Sequence, residues 1–180
     1  MKIQTKRLTL RPLRMDDCHA VYTWQSDAET QRYTCPPHTA VSETEEYLEW
    51  AVGEWQGDHQ TYYSFGIELN DQLIGEIAFS YGCGKCGRCA KGEAAVGYTI
   101  HRDFWNCDVE TEALHAIIDH CFTALGAEKI KMSCDVEDTA QLRAIERLGM
   151  QLTLENEDCE YSDGKPFKRN TYFLLASQNR

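Results

Sequence analysis

Three cysteines lie close together in the sequence, at Cys83, Cys86 and Cys89, within a stretch rich in glycine. Their two-residue spacing and the glycines between them would allow three thiolates to turn toward one soft metal ion. Lys85 and Arg88 would offset part of the thiolate charge. Structural zinc is therefore one interpretation, although tetrahedral zinc needs a fourth ligand that the sequence does not identify. A redox-active or disulfide-forming loop and plain reduced cysteines are the alternatives.

The elements that would position reactive groups follow from the hydrophobic periodicity. Apolar residues recur in two adjacent rows over 109–125, which predicts a helix that packs on a sheet and ends at Gly126. Strand patterns over 62–69 and 73–81 flank a turn sequence at 70–72, which predicts a hairpin. The predicted order of elements is β-α-α-β-β-β-α-β-α-β-β, which is typical of a mixed α/β fold.

Composition and charge limit the classes to which the protein can belong. Lys plus Arg number 18 and Asp plus Glu number 29, so the formal net charge is −11. A field of that sign disfavours nucleic acid and anionic membranes and favours amine-bearing partners. The N-terminal segment is polar and no run of about 18 apolar residues occurs, so we expect a cytoplasmic protein. We expect one domain over 1–180, with the cysteine-rich loop inserted at about 82–92.

Four segments of the second half resemble a known superfamily when they are taken in order and with their spacing. They are Gly97-Tyr98-Thr99-Ile100-His101-x-Asp103-Phe104-Trp105, Thr111-Glu112-Ala113, Asp135-Val136-Glu137-Asp138-Thr139-Ala140 and Arg143-x-x-Glu146-Arg147-Leu148-Gly149-Met150. This wording resembles the GCN5-related N-acetyltransferases (GNAT), and among them the ribosomal-protein alanine acetyltransferases of the RimJ/RimL type. The resemblance implies a twisted mixed sheet flanked by helices, with two strands splayed at the cleft that holds acetyl-CoA.

The resemblance also implies which residues would bind acetyl-CoA. They lie on a strand end, on the turn into the next helix and at the head of a later helix: Thr99, Ile100, His101, Asn106, Cys107, Asp108, Val109, Glu110, Thr111 and Asp138. In the family this turn is rich in glycine, so that the pyrophosphate can approach the backbone N–H groups of the helix. Here Asn106 and Asp108 replace glycines, and Glu110 replaces a small residue.

These replacements predict weak binding of acetyl-CoA. Asp108 is expected to act as the N-cap of the helix, and Glu110 is a favourable acidic residue in its first turn. A carboxylate about 5 Å from a phosphate would cost about 1–3 kcal/mol. The alternative to an active enzyme is therefore a catalytically degenerate protein of the same fold, with a binding or regulatory role.

An acetyltransferase needs a base that deprotonates the attacking amine. The strand glutamate that the family usually provides is Ala95 here. Glu76, on the preceding strand, is one candidate base. Glu93 is the other candidate. It lies two residues before Ala95, and residues two apart in a strand share one face. Gln141 would lie near the thioester and offer an amide donor.

The acceptor is expected to be a protein N-terminus or a small cationic amine, bound by a monomer or a homodimer. A run of acidic residues lies in the last predicted hairpin, near where the superfamily admits its acceptors: Glu155, Glu157, Asp158, Glu160 and Asp163. These carboxylates would attract a cation. The alternative is a solvated hairpin that only aids solubility.

Overall fold

The fold consists of eight strands and four α-helices. The computed structural model describes residues 1–56, 61–82, 90–105 and 107–179. The strands are β1 (Ile3–Gln4), β2 (Leu8–Pro12), β3 (Tyr62–Leu69), β4 (Gln72–Tyr81), β5 (Glu93–Ile100), β6 (Lys129–Asp135), β7 (Gln151–Glu160) and β8 (Pro166–Leu175). The helices are α1 (Cys18–Gln25), α2 (Val41–Gln56), α3 (Val109–Thr123) and α4 (Thr139–Arg147). The predicted order of elements is confirmed, with the two-residue strand β1 added at the N-terminal side.

All eight strands belong to one twisted sheet, in the order β1-β2-β3-β4-β5-β6-β8-β7. Every neighbouring pair is antiparallel except β5 and β6, which are parallel. Helix α3 contacts β2, β4, β5 and β6, whereas α1 and α2 contact each other and the strands β3 and β4. In the described part of the chain, no helix has the combination of length and apolar character that a membrane-spanning segment requires.

Strands β5 and β6 separate soon after they begin to pair. Their ladder consists of three pairs and ends at Ala95↔Lys131. On its other side, β5 stays paired with β4 as far as Gly75↔Ile100. The second half of β5 therefore has an unpaired edge that faces a gap. This confirms the mixed α/β fold with splayed strands.

Helix α3 is the main element packed on this part of the sheet. Its buried residues form the two predicted rows: Val109, Ala113, Leu114, Ile117, Ile118 and Cys121. It ends at Thr123, two residues before the predicted end. Gly126 then has a φ of +67°, and the next N–H bonds back to the Cys121 carbonyl at 2.9 Å. Glycine is the usual residue where a helix ends in this left-handed conformation.

The turn between β3 and β4 gives a test of backbone strain. Asn70 and Asp71 are both left-handed, with φ values of 50° and 62°. Such a two-residue turn matches strand twist and prefers glycine at its second position. Asp71→Gly is therefore expected to raise the free energy of unfolding by about 0.5–1 kcal/mol in urea titration. Asp16→Gly, at a position without a positive φ, is the control and should not stabilise the protein. A destabilised Asp71→Gly variant would contradict the prediction.

Candidate active site

Two clefts meet at the gap beside β5. The larger has a volume of about 760 Å³ and is lined by the face of the sheet that carries Glu76 and Ser80. The smaller has a volume of about 360 Å³ and lies between β5, the start of α3 and helix α4. Tyr98 and Thr99 line both clefts. The splay therefore joins a site on one face of the sheet to a site beside α3 and α4.

The unpaired edge of β5 offers backbone hydrogen-bonding groups to this gap. The N–H of His101 bonds to the carbonyl of Ile74 at 2.9 Å, so the odd-numbered residues of β5 face β4. Tyr98 and Ile100 must then direct their backbone groups toward the gap. The Ile100 carbonyl accepts from the indole N–H of Trp105 at 2.8 Å. The N–H and carbonyl of Tyr98 and the N–H of Ile100 thus lie along the gap, whereas the backbone groups of Thr99 and His101 point away.

Glu76 lies at the wall of the larger cleft and is almost fully buried, at 6% exposure. Its Oε1 atom accepts a hydrogen bond from the Tyr47 hydroxyl, which comes from α2. The same oxygen accepts a second bond from Ser64 Oγ at 2.8 Å. Burial raises the pKa of Glu76 above its ordinary value, even though both hydrogen bonds favour the ionised form. A buried carboxyl with a raised pKa in a cleft is suited to accept a proton near neutral pH.

Glu93 lines the same cleft but is held in an ion pair. Its Oε1 atom lies 2.9 Å from Lys129 Nζ, and its Oε2 atom accepts from the Ala90 N–H at 3.0 Å. Burial acts to raise the pKa of Glu93, but these two bonds, together with the charges of Lys129 and Lys131, outweigh it and lower the pKa. Glu93 and Ala95 do share the cleft face, as predicted. Glu93 is nevertheless a weaker base than Glu76, because its charge is already compensated.

The turn into α3 differs from the prediction at Asp108. The residue precedes the helix but makes no N-capping hydrogen bond with its side chain. Its φ is +52°, a left-handed conformation that suits the glycine of the family pattern. The predicted N-cap is therefore wrong. The carboxylate points instead to Arg147 of α4, with Nη1 and Oδ1 2.6 Å apart.

Arginines compensate the carboxylates that were predicted to repel a pyrophosphate. Arg147 lies 3.9 Å from Glu110 in addition to its contact with Asp108. Arg7 pairs with Glu112 at 2.6 Å and also donates to the Asp108 carbonyl at 3.0 Å. Asp108, Glu110 and Arg147 all line the smaller cleft. The repulsion is therefore weaker than the sequence alone predicts, since each of these carboxylates has a cation beside it.

Helix α4 closes the smaller cleft. Asp138 caps it, and its Oδ1 atom accepts from the Gln141 N–H at 3.0 Å. Burial raises the pKa of Asp138. Gln141 and Arg143 line the cleft with Arg147. Ile145, on the same helix, is fully buried.

The remaining predicted residues lie at varied distances from the clefts. Thr99 lines both clefts and Ile100 the smaller one. The His101 ring accepts from the Asp103 N–H at 3.2 Å, and its side chain lines neither cleft. Three residues around the turn also line neither cleft. Cys107 is exposed and Val109 lies in the core. The Oγ1 atom of Thr111 is buried without a hydrogen-bond partner among the described residues.

Four of the predicted residues fall outside the described part of the chain. Asn106 and the cluster of Cys83, Cys86 and Cys89 lie outside the described residues. Within the part of the chain that is described, no three side chains of the types His, Cys, Asp and Glu converge as metal ligands. Zinc at the cysteine cluster therefore stays a prediction.

Sequence reasoning missed the partners of these residues. Tyr47 and Ser64 lie 29 and 12 residues from Glu76 in the chain, so no local pattern connects them. The pair of Arg143 and Arg147 did leave a signal, because a spacing of four puts both on one helix face. These arginines define the cationic side of the smaller cleft.

Comparisons with known proteins agree with this geometry. Residues 7–151 match the family Acetyltransferase (GNAT) domain. The uncharacterized N-acetyltransferase p20 of Bacillus licheniformis is 26% identical over 177 residues, which cover 98% of this chain and 97% of that protein. The uncharacterized N-acetyltransferase YnaD of Bacillus subtilis is 27% identical over 151 residues, or 84% of this chain and 83% of that protein.

Solved structures with low identity share the fold. RimL, a ribosomal L7/L12 alpha-N-protein acetyltransferase solved in complex with coenzyme A, superposes with a TM-score of 0.84 at 18% identity and covers 97% of this chain and 98% of its own. The microcin C7 self-immunity acetyltransferase MccE, in complex with acetyl-CoA and AMP, has a TM-score of 0.79 at 15% identity, with 94% and 93% covered. Since the family match extends over more than half of the chain, the protein belongs to the GNAT acetyltransferase family.

Proposed function

We propose that the protein transfers the acetyl group of acetyl-CoA to a primary amine. The observation that carries this proposal is the unpaired edge of β5, which lies between a cleft lined by two arginines and a cleft that contains a buried carboxyl. A thioester held along this edge would be within reach of an amine on the Glu76 side. The relatives support the choice of donor, because RimL was solved with coenzyme A and MccE with acetyl-CoA.

The smaller cleft has the groups that a coenzyme A molecule requires. The Tyr98 carbonyl and the Ile100 N–H offer an acceptor and a donor to amides of the pantetheine arm. The N-terminal N–H groups of α3 favour an anion, and Arg143 and Arg147 add two cationic side chains at the same cleft. These residues fit a pyrophosphate despite the missing glycines.

Glu76 is proposed as the general base. An amine is protonated at neutral pH and cannot attack a carbonyl until it loses a proton. Glu76 would accept this proton, either directly or through a water molecule, while Tyr47 and Ser64 hold its carboxylate in place. Its raised pKa brings its basicity closer to the working pH than that of an exposed glutamate.

The proposed reaction balances without an added reductant or metal. The amine nitrogen forms a bond to the acetyl carbon, and the bond between that carbon and the sulfur breaks. The products are an amide and the free thiol, and one proton reaches the solvent through Glu76. The Tyr98 N–H lies at the point where both clefts meet, so it is the backbone donor that we assign to the acetyl oxygen.

The test combines binding and turnover with the purified protein. Acetyl-CoA is expected to raise the melting temperature, because a ligand of the folded state stabilises it by mass action. Free thiol should then appear when a primary amine is added, and mass spectrometry should find one acetyl group on that amine. A melting temperature that acetyl-CoA leaves unchanged, together with no thiol release across peptides and small amines, would overturn the proposed function.

A further inference from the structure

The larger cleft contains a cationic side chain that the proposed reaction does not use. Lys131, on β6, is half-buried and lines this cleft. Among the described residues, no carboxylate lies within 4 Å of its ammonium group, whereas the neighbouring Lys129 is paired with Glu93. The charge of Lys131 helps to lower the pKa of Glu93 from a greater distance. Lys131 therefore leaves a positive charge in the cleft without a direct counter-ion.

The other charges of this cleft are largely compensated. Lys129 and Glu93 form one pair. Arg169, on β8, lies 3.6 Å from Glu157, and its Nε atom has no hydrogen-bond partner among the described residues. After these pairs are set aside, the cleft keeps the buried carboxyl of Glu76 at one end and the ammonium of Lys131 at the other. Such an arrangement complements a molecule that carries both an amine and an anion.

The acidic hairpin does not counter this arrangement, although it was expected to attract a cationic acceptor. Lys168 of β8 pairs with Asp158, and Lys165 pairs with Asp163 at 2.8 Å. Neither carboxylate lines the larger cleft, and Glu157, which does, is the one beside Arg169. Three of the five hairpin carboxylates thus have a cation beside them, and the other two, Glu155 and Glu160, do not line this cleft, so the hairpin gives a polyamine little attraction there.

We infer that the acceptor is an amine that also carries a carboxylate, with the amine at Glu76 and the carboxylate at Lys131. The inference rests on the proposed function and names its substrate class. A carboxylate fits better than a phosphate monoester, because one uncompensated ammonium matches a single negative charge and a phosphate carries about 1.5 to 2.

The register of the sheet gives the distance between the two ends. Glu76 lies opposite Thr99 of β5, and Lys131 lies opposite Ala95 of the same strand. Four residues along a strand and two strand spacings across the sheet separate their Cα atoms by about 16 Å. Side chains in strands stand roughly perpendicular to the sheet, so the two charges lie about as far apart as the two Cα atoms. An extended tripeptide spans about 10 Å, and a hydrogen bond of about 2.9 Å at each end extends its reach to about 16 Å, so its amine and its terminal carboxylate would match the two ends.

The experiment compares tri-alanine with its C-terminal amide, two peptides that differ at the carboxylate alone. Binding is measured by calorimetry to protein saturated with coenzyme A, so that no turnover is required. The free acid is expected to bind at least about five-fold more tightly than the amide. Lys131→Met should remove this preference by weakening the binding of the free acid alone. Lys131→Arg should retain the preference. Lys168→Met, which also removes one cation, is the matched control and should keep it too.

Several results would overturn the inference. They are equal binding of the two peptides, tighter binding of the amide, no binding of the acid, or equal weakening of both peptides in Lys131→Met. Lys131→Gln takes the place of the methionine variant if that variant does not fold, as judged by its melting curve. Failure of the proposed function is distinguishable, because it appears as absence of acetyl-CoA binding and of acetyl transfer.

Discussion

Replacing Glu76 with glutamine is expected to lower kcat by roughly 100-fold or more, because positioned general bases contribute at least that factor. Glutamine keeps the shape of the side chain and the oxygen that accepts from Tyr47 and Ser64 but cannot accept the proton of an ammonium ion. The affinity for acetyl-CoA should stay unchanged, since Glu76 lines the larger cleft and not the smaller one. Steady-state kinetics and calorimetry measure the two quantities separately.

The dependence on pH follows from the raised pKa of Glu76. The base must be ionised, so kcat/KM of the wild type should rise with pH through a pKa above the ordinary value for glutamate. The same shift lowers stability as the pH rises, because the folded protein holds the proton more tightly than the unfolded chain does. Glu76→Gln should therefore melt at a higher temperature than wild type at neutral pH. The difference should vanish below about pH 4, where the carboxyl is protonated in both states.

Glu93→Gln is the matched control, because it removes a carboxylate from the same cleft. Glu93 has a lowered pKa and a direct ion pair with Lys129. Its replacement should reduce stability at neutral pH and leave the pH profile of kcat/KM in place. If Glu93→Gln abolishes the rise with pH while Glu76→Gln keeps it, the assignment of the base is wrong.

Removing Arg147 is expected to weaken acetyl-CoA binding by about 10–100-fold, the range of a charge-assisted contact of 1.5–3 kcal/mol. Arg147→Ala would remove a cation from the smaller cleft and would also leave Asp108 and Glu110 without their compensating charge. Both effects act against a bound pyrophosphate. The dissociation constant is measured by calorimetry, with Lys165→Ala as a control that removes an exposed cation far along the chain.

A double-mutant cycle separates these two effects. In the Arg147→Ala background, Asp108→Gly with Glu110→Ala should restore at least about tenfold in affinity, because the uncompensated repulsion is removed. In the wild-type background the same two substitutions should change affinity by less, since Arg147 already offsets the carboxylates. An equal gain in both backgrounds would show that Arg147 does not screen the carboxylates.

Local patterns in the sequence were enough to predict the elements of the fold, apart from the two-residue strand β1. The two apolar rows of α3 and its terminal Gly126 are local features, and the structure differs from the prediction by two residues at the end of the helix. The hairpin turn was also predictable, because Asn70 and Asp71 are residue types that tolerate a left-handed backbone. The resemblance to the superfamily then predicted that two neighbouring strands separate, as β5 and β6 do. Such features depend on neighbours in the chain or on a pattern shared by many sequences.

Charge compensation was decided by the tertiary structure. The sequence presents Asp108 and Glu110 as an acidic turn, and it gives no sign that Arg147 lies 2.6 Å from Asp108, 39 residues later. It likewise presents Glu76 and Glu93 as equivalent candidates. Packing buries Glu76 beside Tyr47 and Ser64 and raises its pKa, and it brings Glu93 to Lys129 and lowers its pKa. The sequence specifies which charges are present, but the energy of a charge depends on its distance from other charges and on its exposure to water, and both are set when distant elements pack together.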